Sequence, residues 1–254
     1  MVTQSATITP SRDWRDPLAH STGPIIAAIH QPNYIPWLGY FYKISRAHRF
    51  VFLDSVSYST GSFTNRNAIK TPAGSSWLTI PVLKSGRSGQ PIRDVEINNA
   101  CSWGRKHLST LKSNYGRAPF FTKIFTLLEP HYDLNPQGRT FLSEFNIGLI
   151  CAIGKYLGIQ APYIRSSQLN ISGQKTELLL DICRVIGANA YLAGLGGKAY
   201  QDDAKFEEVG ITPIYSSFSV QPYPQLFGEF LQNMSVVDVL MNCGYEGTRR
   251  LLGL

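Results

Sequence analysis

The sequence predicts an α/β protein with a central, mostly parallel sheet. Three observations carry that reading. Short apolar runs alternate with helical patterns at both ends of the chain. The first apolar run, Ile25–Ile29, reads as a short buried strand. Each of the first two runs stops abruptly in a segment dense in hydrogen-bonding side chains, and ligands of open α/β sheets lie at the carboxyl ends of strands.

The elements follow in order. Residues 1–23 are polar, with Arg12, Asp13, Arg15 and Asp16, and read as a flexible tail. Residues 24–254 then form one α/β domain. Ile25–Ile29 is a buried strand, Leu38–Ala47 a helix after the Pro36-Trp37 turn, and Arg49–Leu53 a second strand. Pro72-Ala73-Gly74 and Ser85-Gly86 bound a strand at Trp77–Val82, and Ile92–Ile97 alternates as a strand would. A helical segment, about 102–157, holds helices at Trp103–Tyr115, Phe120–Glu129 and Gly138–Leu157. Ala161–Ser166 is a strand. Thr176 is placed to cap a helix ending at Gly187. Asn189–Ala193 is a strand opening into Gly194-Leu195-Gly196-Gly197-Lys198, and a short helix at Asp203–Val209 precedes the strand Ile211–Tyr215. Ser235 caps a last helix, Val236–Asn242, closed by Gly244.

Bulk properties exclude several classes. No apolar run reaches the roughly 18 residues of a membrane span, and the first residues have no secretory pattern, so the expected location is the cytoplasm. The four cysteines, Cys101, Cys151, Cys183 and Cys243, form no C-x-x-C pair, which speaks against zinc. No cofactor motif is present. The formal charge of +7 is concentrated: Ser62 to Lys123 contains ten basic residues and two acidic ones, Asp94 and Glu96. That asymmetry suits an anionic partner such as a nucleic acid, a nucleotide or a phosphorylated substrate, and equally a solvated basic face without a partner.

His30 ends the first strand and is the one histidine inside a cluster of other functional groups. It is the candidate acid or base. Asp54 ends the second strand, where a carboxylate can hold an amine, a ribose or, less readily, a metal. Gln31, Asn33 and Tyr34 can fix a ligand or hold the turn bracketed by Pro32 and Pro36. Asn65-Arg66-Asn67 with Lys70 suits a carboxylate or phosphate, with a surface turn as the alternative. Gly196 and Gly197 sit where a phosphate-cradling loop would, but the spacing is neither that of a P-loop nor that of the dinucleotide fingerprint. A tight turn at the sheet edge explains that loop as well. No nucleophile elbow, H-E-x-x-H or kinase motif occurs.

Taken together, these residues resemble the WbqC-like family of bacterial proteins. The likeness includes His30-Gln31-Pro32-Asn33-Tyr34 with Pro36-Trp37 and Gly39-Tyr40, Phe52-Leu53-Asp54, Tyr58-Ser59, Ser62-Phe63 and Asn65-Arg66-Asn67 with Ile69-Lys70. It continues through Trp77-Leu78, Pro81-Val82, Lys106-His107, Asn146, Gly196-Gly197 with Tyr200, Tyr223 with Gln225, and Ser235 with Asp238, Asn242 and Gly244. His48, Ser55, Ser57 and Leu195 depart from the family pattern. The resemblance implies a biosynthetic enzyme, of the kind encoded in surface-polysaccharide and other biosynthetic clusters. It adds Tyr58, Tyr223 and Gln225 to the expected substrate-binding residues. On that basis the expected function is a transferase placing an acyl or aminoacyl group on an amine of a sugar or natural-product precursor. In this reading His30 handles the proton, Asp54 holds the amine, and Arg66 with Lys70 holds an anionic donor, a sugar nucleotide or a charged tRNA. Pro32-Asn33 through Gly39-Tyr40 also follows the outline of the first unit of nucleotidylyltransferases, with Trp37 and Tyr40 in the two histidine places of H-x-G-H. A degenerate nucleotide-handling enzyme is therefore an alternative by fold analogy, and an RNA-binding module using the basic helix around Lys106 is another.

Overall fold

The structure, a computed structural model, describes residues 23–134, 138–194, 196–197 and 201–254. The tail expected at 1–23 lies outside the described residues except for Gly23. The chain forms two compact units, each assembled from separated segments.

The first unit comprises the segments ending at His30, Ser45–Phe52 and Gln160–Ser216. It holds a five-stranded sheet made of β1 (Ile26–His30), β2 (Arg49–Phe52), β5 (Tyr163–Arg165), β6 (Ala190–Ala193) and β7 (Thr212–Tyr215). Their order is β5-β2-β1-β6-β7, with every pairing parallel. Strands β2 and β6 are buried at every residue, which explains why β6, and β2 after Arg49, read as unbroken apolar runs. Helices α5 (Lys175–Val185) and α6 (Asp203–Glu208) belong to the same unit. The Phe206 ring of α6 stacks on Tyr191 of β6 at 5.3 Å and 9°. Thr176 does not cap α5. The cap position is Gln174, and the Thr176 hydroxyl, one residue inside the helix, accepts from the Asp202 amide.

The second unit comprises Gln31–Ile44, Leu53–Ile159 and Ser217–Leu254. Helix α1 (Leu38–Arg46) begins in it. Strands β3 (Arg66–Thr71) and β4 (Gly74–Thr79) make an antiparallel hairpin. The strand expected at Trp77–Val82 thus starts three residues earlier, because Gly74, at φ +101°, closes the turn opposite Thr71. Ile92–Ile97 is not a strand: Pro91 starts a 3-10 turn over Ile92–Asp94. That turn buries Ile92, and the residues after it bury Val95 and Ile97, the same apolar residues that suggested alternation. Helices α2 (Trp103–Tyr115), α3 (Phe121–Leu128) and α4 (Leu142–Tyr156) follow. Helix α4 starts later than expected because Thr140 and Leu142 are tied to Ile97 and Val95 by backbone hydrogen bonds. Helix α7 (Val236–Leu252) is capped as expected by Ser235, whose hydroxyl accepts from the Val237 amide. The expected stop at Gly244 is a kink, at φ 64° and ψ −160°, after which the helix resumes. A Cβ there would lie 2.5 Å from the Phe120 ring, so both backbone and space call for glycine.

Candidate functional site

In the first unit, the strand order reverses at β1. Chain progression runs from β1 to β2 and β5 on one side, then to β6 and β7 on the other. Such a switch point leaves a crevice at the carboxyl ends of the two strands that flank it, the usual ligand position in open α/β sheets. Here those ends are His30 of β1 and the segment after Ala193 of β6. Gly194 and Gly197 close a turn there, Gly197 N–H donating to the Gly194 carbonyl at 2.9 Å. Among the described residues, a Cβ at Gly194 or Gly196 would meet nothing within 4 Å, and one at Gly197 would touch Ala193 at 3.5 Å. Leu195, Lys198 and Tyr200 lie outside the described residues.

In the second unit, the signature segment after His30 is clamped by side chains from distant parts of the chain. The Asn67 amide donates to the carbonyls of Tyr34 (3.1 Å) and Ile35 (2.9 Å). The Asn146 amide donates to the carbonyls of Pro32 (2.8 Å) and Thr64 (2.7 Å). Ser235 Oγ donates to the Ile35 carbonyl at 2.7 Å, and Tyr40 Oη donates to the Gln31 carbonyl at 3.0 Å. Thr64 Oγ1 bonds Gln31 Oε1 at 3.4 Å. Asn33 and Tyr34 are buried. Ile35, a β-branched residue, sits at φ 32°, a costly conformation for its type. Two of the clamps converge on its carbonyl, which is how surrounding structure holds a strained residue in place.

The Tyr34 ring leads into a buried chain. Its hydroxyl lies 2.6 Å from Tyr132 Oη and 2.9 Å from His107 Nδ1, and the His107 ring also bonds the Thr79 backbone. With Thr79 a carbonyl acceptor, the imidazole is neutral, protonated on Nε2 and accepting on Nδ1. Burial pulls its pKa from 6.5 to about 4, opposed by the Thr79 contact. The same burial raises the Tyr34 hydroxyl. A histidine whose folded pKa is lowered contributes stability that is complete above its unfolded pKa and is lost as pH falls through the folded value. The window is therefore 6.5 down to about 4. Urea unfolding at about pH 7 and pH 4.5 is expected to show a loss of about 2–3 kcal/mol from this group. The loss should shrink in His107→Gln, and equal losses in both proteins would remove His107 as its source.

Lys70, Tyr223 and Gln225 meet around Asp238. Tyr115 Oη donates to Asp238 Oδ2 at 2.8 Å. Tyr223 Oη (2.8 Å) and Gln225 Nε2 (2.9 Å) donate to Oδ1. Burial raises the Asp238 pKa, and the three donors and the Lys70 charge oppose that. Tyr115 and Tyr223 are both raised, by burial first and by the carboxylate second. Lys70 is 2% exposed, and its ammonium donates to the Glu229 carbonyl. Gln225 also bonds both the amide and the carbonyl of Leu231. The cluster thus ties residues 223–231 to β3, α2 and α7. The residue pattern alone did not place Asp238 at the centre of this cluster, although a carboxylate set among Val236, Val237, Val239, Leu240 and Met241 is the signal of a buried, partnered charge.

The remaining candidates, Asp54, Tyr58, Asn65 and Arg66, also lie in the second unit. Asp54 is 0% exposed, and its carbonyl accepts from the Arg93 amide. Asn65 is buried and donates to the Ile80 carbonyl at 3.0 Å. Arg66 Cζ lies 4.5 Å over the Trp77 ring. Burial raises the Tyr58 hydroxyl, opposed by the Gly61 backbone and Arg66. Among the described residues, no group of three or more His, Cys, Asp or Glu side chains could hold a metal ion. No helix among them is long and apolar enough to cross a membrane.

Comparison with known proteins adds the following. The model of the WbqC-like protein family matches residues 31–250, beginning one residue after His30. An uncharacterized protein of Mycobacterium tuberculosis, Rv1507c, is 37% identical over 220 residues, which cover 86% of this chain and 94% of that protein. No solved structure matches.

Proposed function

The chain belongs to the WbqC-like protein family, and from that premise we propose that it is a biosynthetic transferase. It places an acyl or aminoacyl group on an amine of a sugar or natural-product precursor. The observation that supports this reading most directly is the position of His30, at the carboxyl end of the central strand where the strand order reverses. In the proposed step the substrate amine attacks the acyl carbonyl. The new C–N bond forms as the bond to the donor's leaving group breaks, and His30 carries the proton from nitrogen to that leaving group. At the same sheet end, Gly194, Gly196 and Gly197 present no side chain to the donor's anionic part.

A second reading has its own support. With strands numbered in chain order within the sheet, the order is 3-2-1-4-5, five of the six strands of the doubly wound nucleotide-binding order, in which the ligand occupies the switch point. The two readings separate in one experiment. Purified protein is incubated with amine-bearing sugar nucleotides and acyl or aminoacyl donors, and products are read by mass. The transferase reading expects an acylated amine, with its formation falling about 10²–10⁴-fold in His30→Ala. Full activity in that variant would sink the role of His30. Release of pyrophosphate from ATP or CTP with no acyl transfer would favour nucleotidyl chemistry instead.

A further inference from the structure

We propose that the second unit carries its own ligand site, centred on Arg66, for an oxyanion (carboxylate or phosphate) borne on a sugar or nucleoside ring. The argument is independent of the switch-point reading, because every residue in it lies in the second unit.

The Arg66 guanidinium is fixed in place without using its donors. Its Cζ stacks 4.5 Å over the Trp77 ring. Gly61 lies against it too: a Cβ there would touch Cζ at 3.6 Å. The positive φ of Gly61, 72°, and its missing side chain allow that approach. Arg66 Nε is enclosed and has no acceptor among the described residues. The two terminal nitrogens form no hydrogen bond or ion pair with those residues either, and they are not enclosed. Beside the guanidinium, the Tyr58 hydroxyl is also enclosed, with the Gly61 backbone against it and no acceptor for its proton among the described residues. A held, planar fork of free N–H donors with a phenol next to it is the arrangement that receives a carboxylate or phosphate in two-point fashion.

The surroundings select the rest of the ligand. Phe63 and Trp77 are 55% and 47% exposed, with ring centroids 5.9 Å apart and planes at 48°. Exposed aromatic faces beside a guanidinium suit the flat face of a base or the C–H face of a sugar. The two acids between Ser62 and Lys123 are already engaged, Asp94 with Arg93 and Glu96 with Arg87 and Arg139. The net field of this segment therefore favours an anion.

The test is calorimetry, with tryptophan fluorescence alongside, using glucuronate, glucose 1-phosphate, UMP, inorganic phosphate and glucose. At least one ring-bearing anion is expected to bind saturably, more tightly than phosphate alone and far more tightly than glucose. Glucuronate against glucose 1-phosphate decides between carboxylate and phosphate. Arg66→Lys keeps the charge but loses the fork, and should weaken binding about tenfold or more. Phe63→Ser, at an exposed ring, should weaken ring-bearing anions and leave phosphate unchanged; it decides the matter if Arg66→Lys does not fold. The proposal is overturned if no ring-bearing anion binds below about 10 mM, if both variants bind as the natural protein does, or if glucose binds as well as its phosphate. Loss of this binding in His30→Ala would place the ligand at the switch point and would also overturn it.

Discussion

Replacing Asp238 by alanine is expected to destabilise the protein by about 3–5 kcal/mol, lowering its melting temperature by roughly 10 °C. The carboxylate is the shared acceptor for Tyr115, Tyr223 and Gln225, and it faces the Lys70 charge. Truncation leaves three donors and one cation in an enclosed region without their acceptor. The cost is then mainly that of stranded polar groups, beyond the lost bonds themselves. Asp238→Asn keeps one acceptor oxygen and should lose about half as much. The cluster also anchors Tyr223, Gln225, Glu229 and Leu231, in a segment with no helix or strand of its own. Limited proteolysis of Asp238→Ala should therefore cut within residues 217–234 before any other described segment. A loss below about 1 kcal/mol, with unchanged proteolysis, would show that water replaces the carboxylate at little cost.

Asn67→Ala is the second large expected effect, about 2–4 kcal/mol. Its amide group makes two donor bonds, to the Tyr34 and Ile35 carbonyls, and its oxygen accepts from the Ala68 amide. The loss is also local and conformational. Ile35 is held at φ 32°, a state costing about 1–3 kcal/mol that persists only where neighbours enforce it. With Asn67 gone, Ser235 alone holds that carbonyl. Hydrogen exchange should then accelerate at residues 33–37, including the Tyr34 amide bonded to Phe63, while β1 stays protected. Uniform acceleration across both segments would mean global destabilisation, not release of the loop.

These two residues show how much of the site could be read in advance. The parallel sheet was legible because its central strands are largely apolar, and burial on both faces produces that pattern directly. His30 was legible as a strand end because the apolar run stops there. Helix α2 was placed correctly, since its one-sided apolar spacing repeats over three turns. The strand at Ile92–Ile97 was misplaced because a 3-10 turn followed by an extended segment can bury the same three apolar residues as a strand. Asn67 and Lys70 were grouped with Arg66 as anion binders on their chemical type. Their amide and ammonium groups are enclosed and bonded within the protein, which no local pattern announces. The partners lie far along the chain: Asn146 reaches back 114 residues to Pro32, and Tyr115 forward 123 residues to Asp238.

The sequence by itself determined the α/β class, the boundaries of most helices and the position of His30 at the end of the first strand. Each of these follows from local periodicity and from where an apolar run stops. Only the tertiary structure decided the strand order that makes His30 a switch-point residue. It alone separated the signature polar groups that clamp the loop backbone from Arg66, whose donors meet no acceptor among the described residues. The physical reason is that hydrogen-bond partnership between residues a hundred positions apart is set by packing, and a side chain's chemistry is the same whether it faces a ligand or a carbonyl of its own chain.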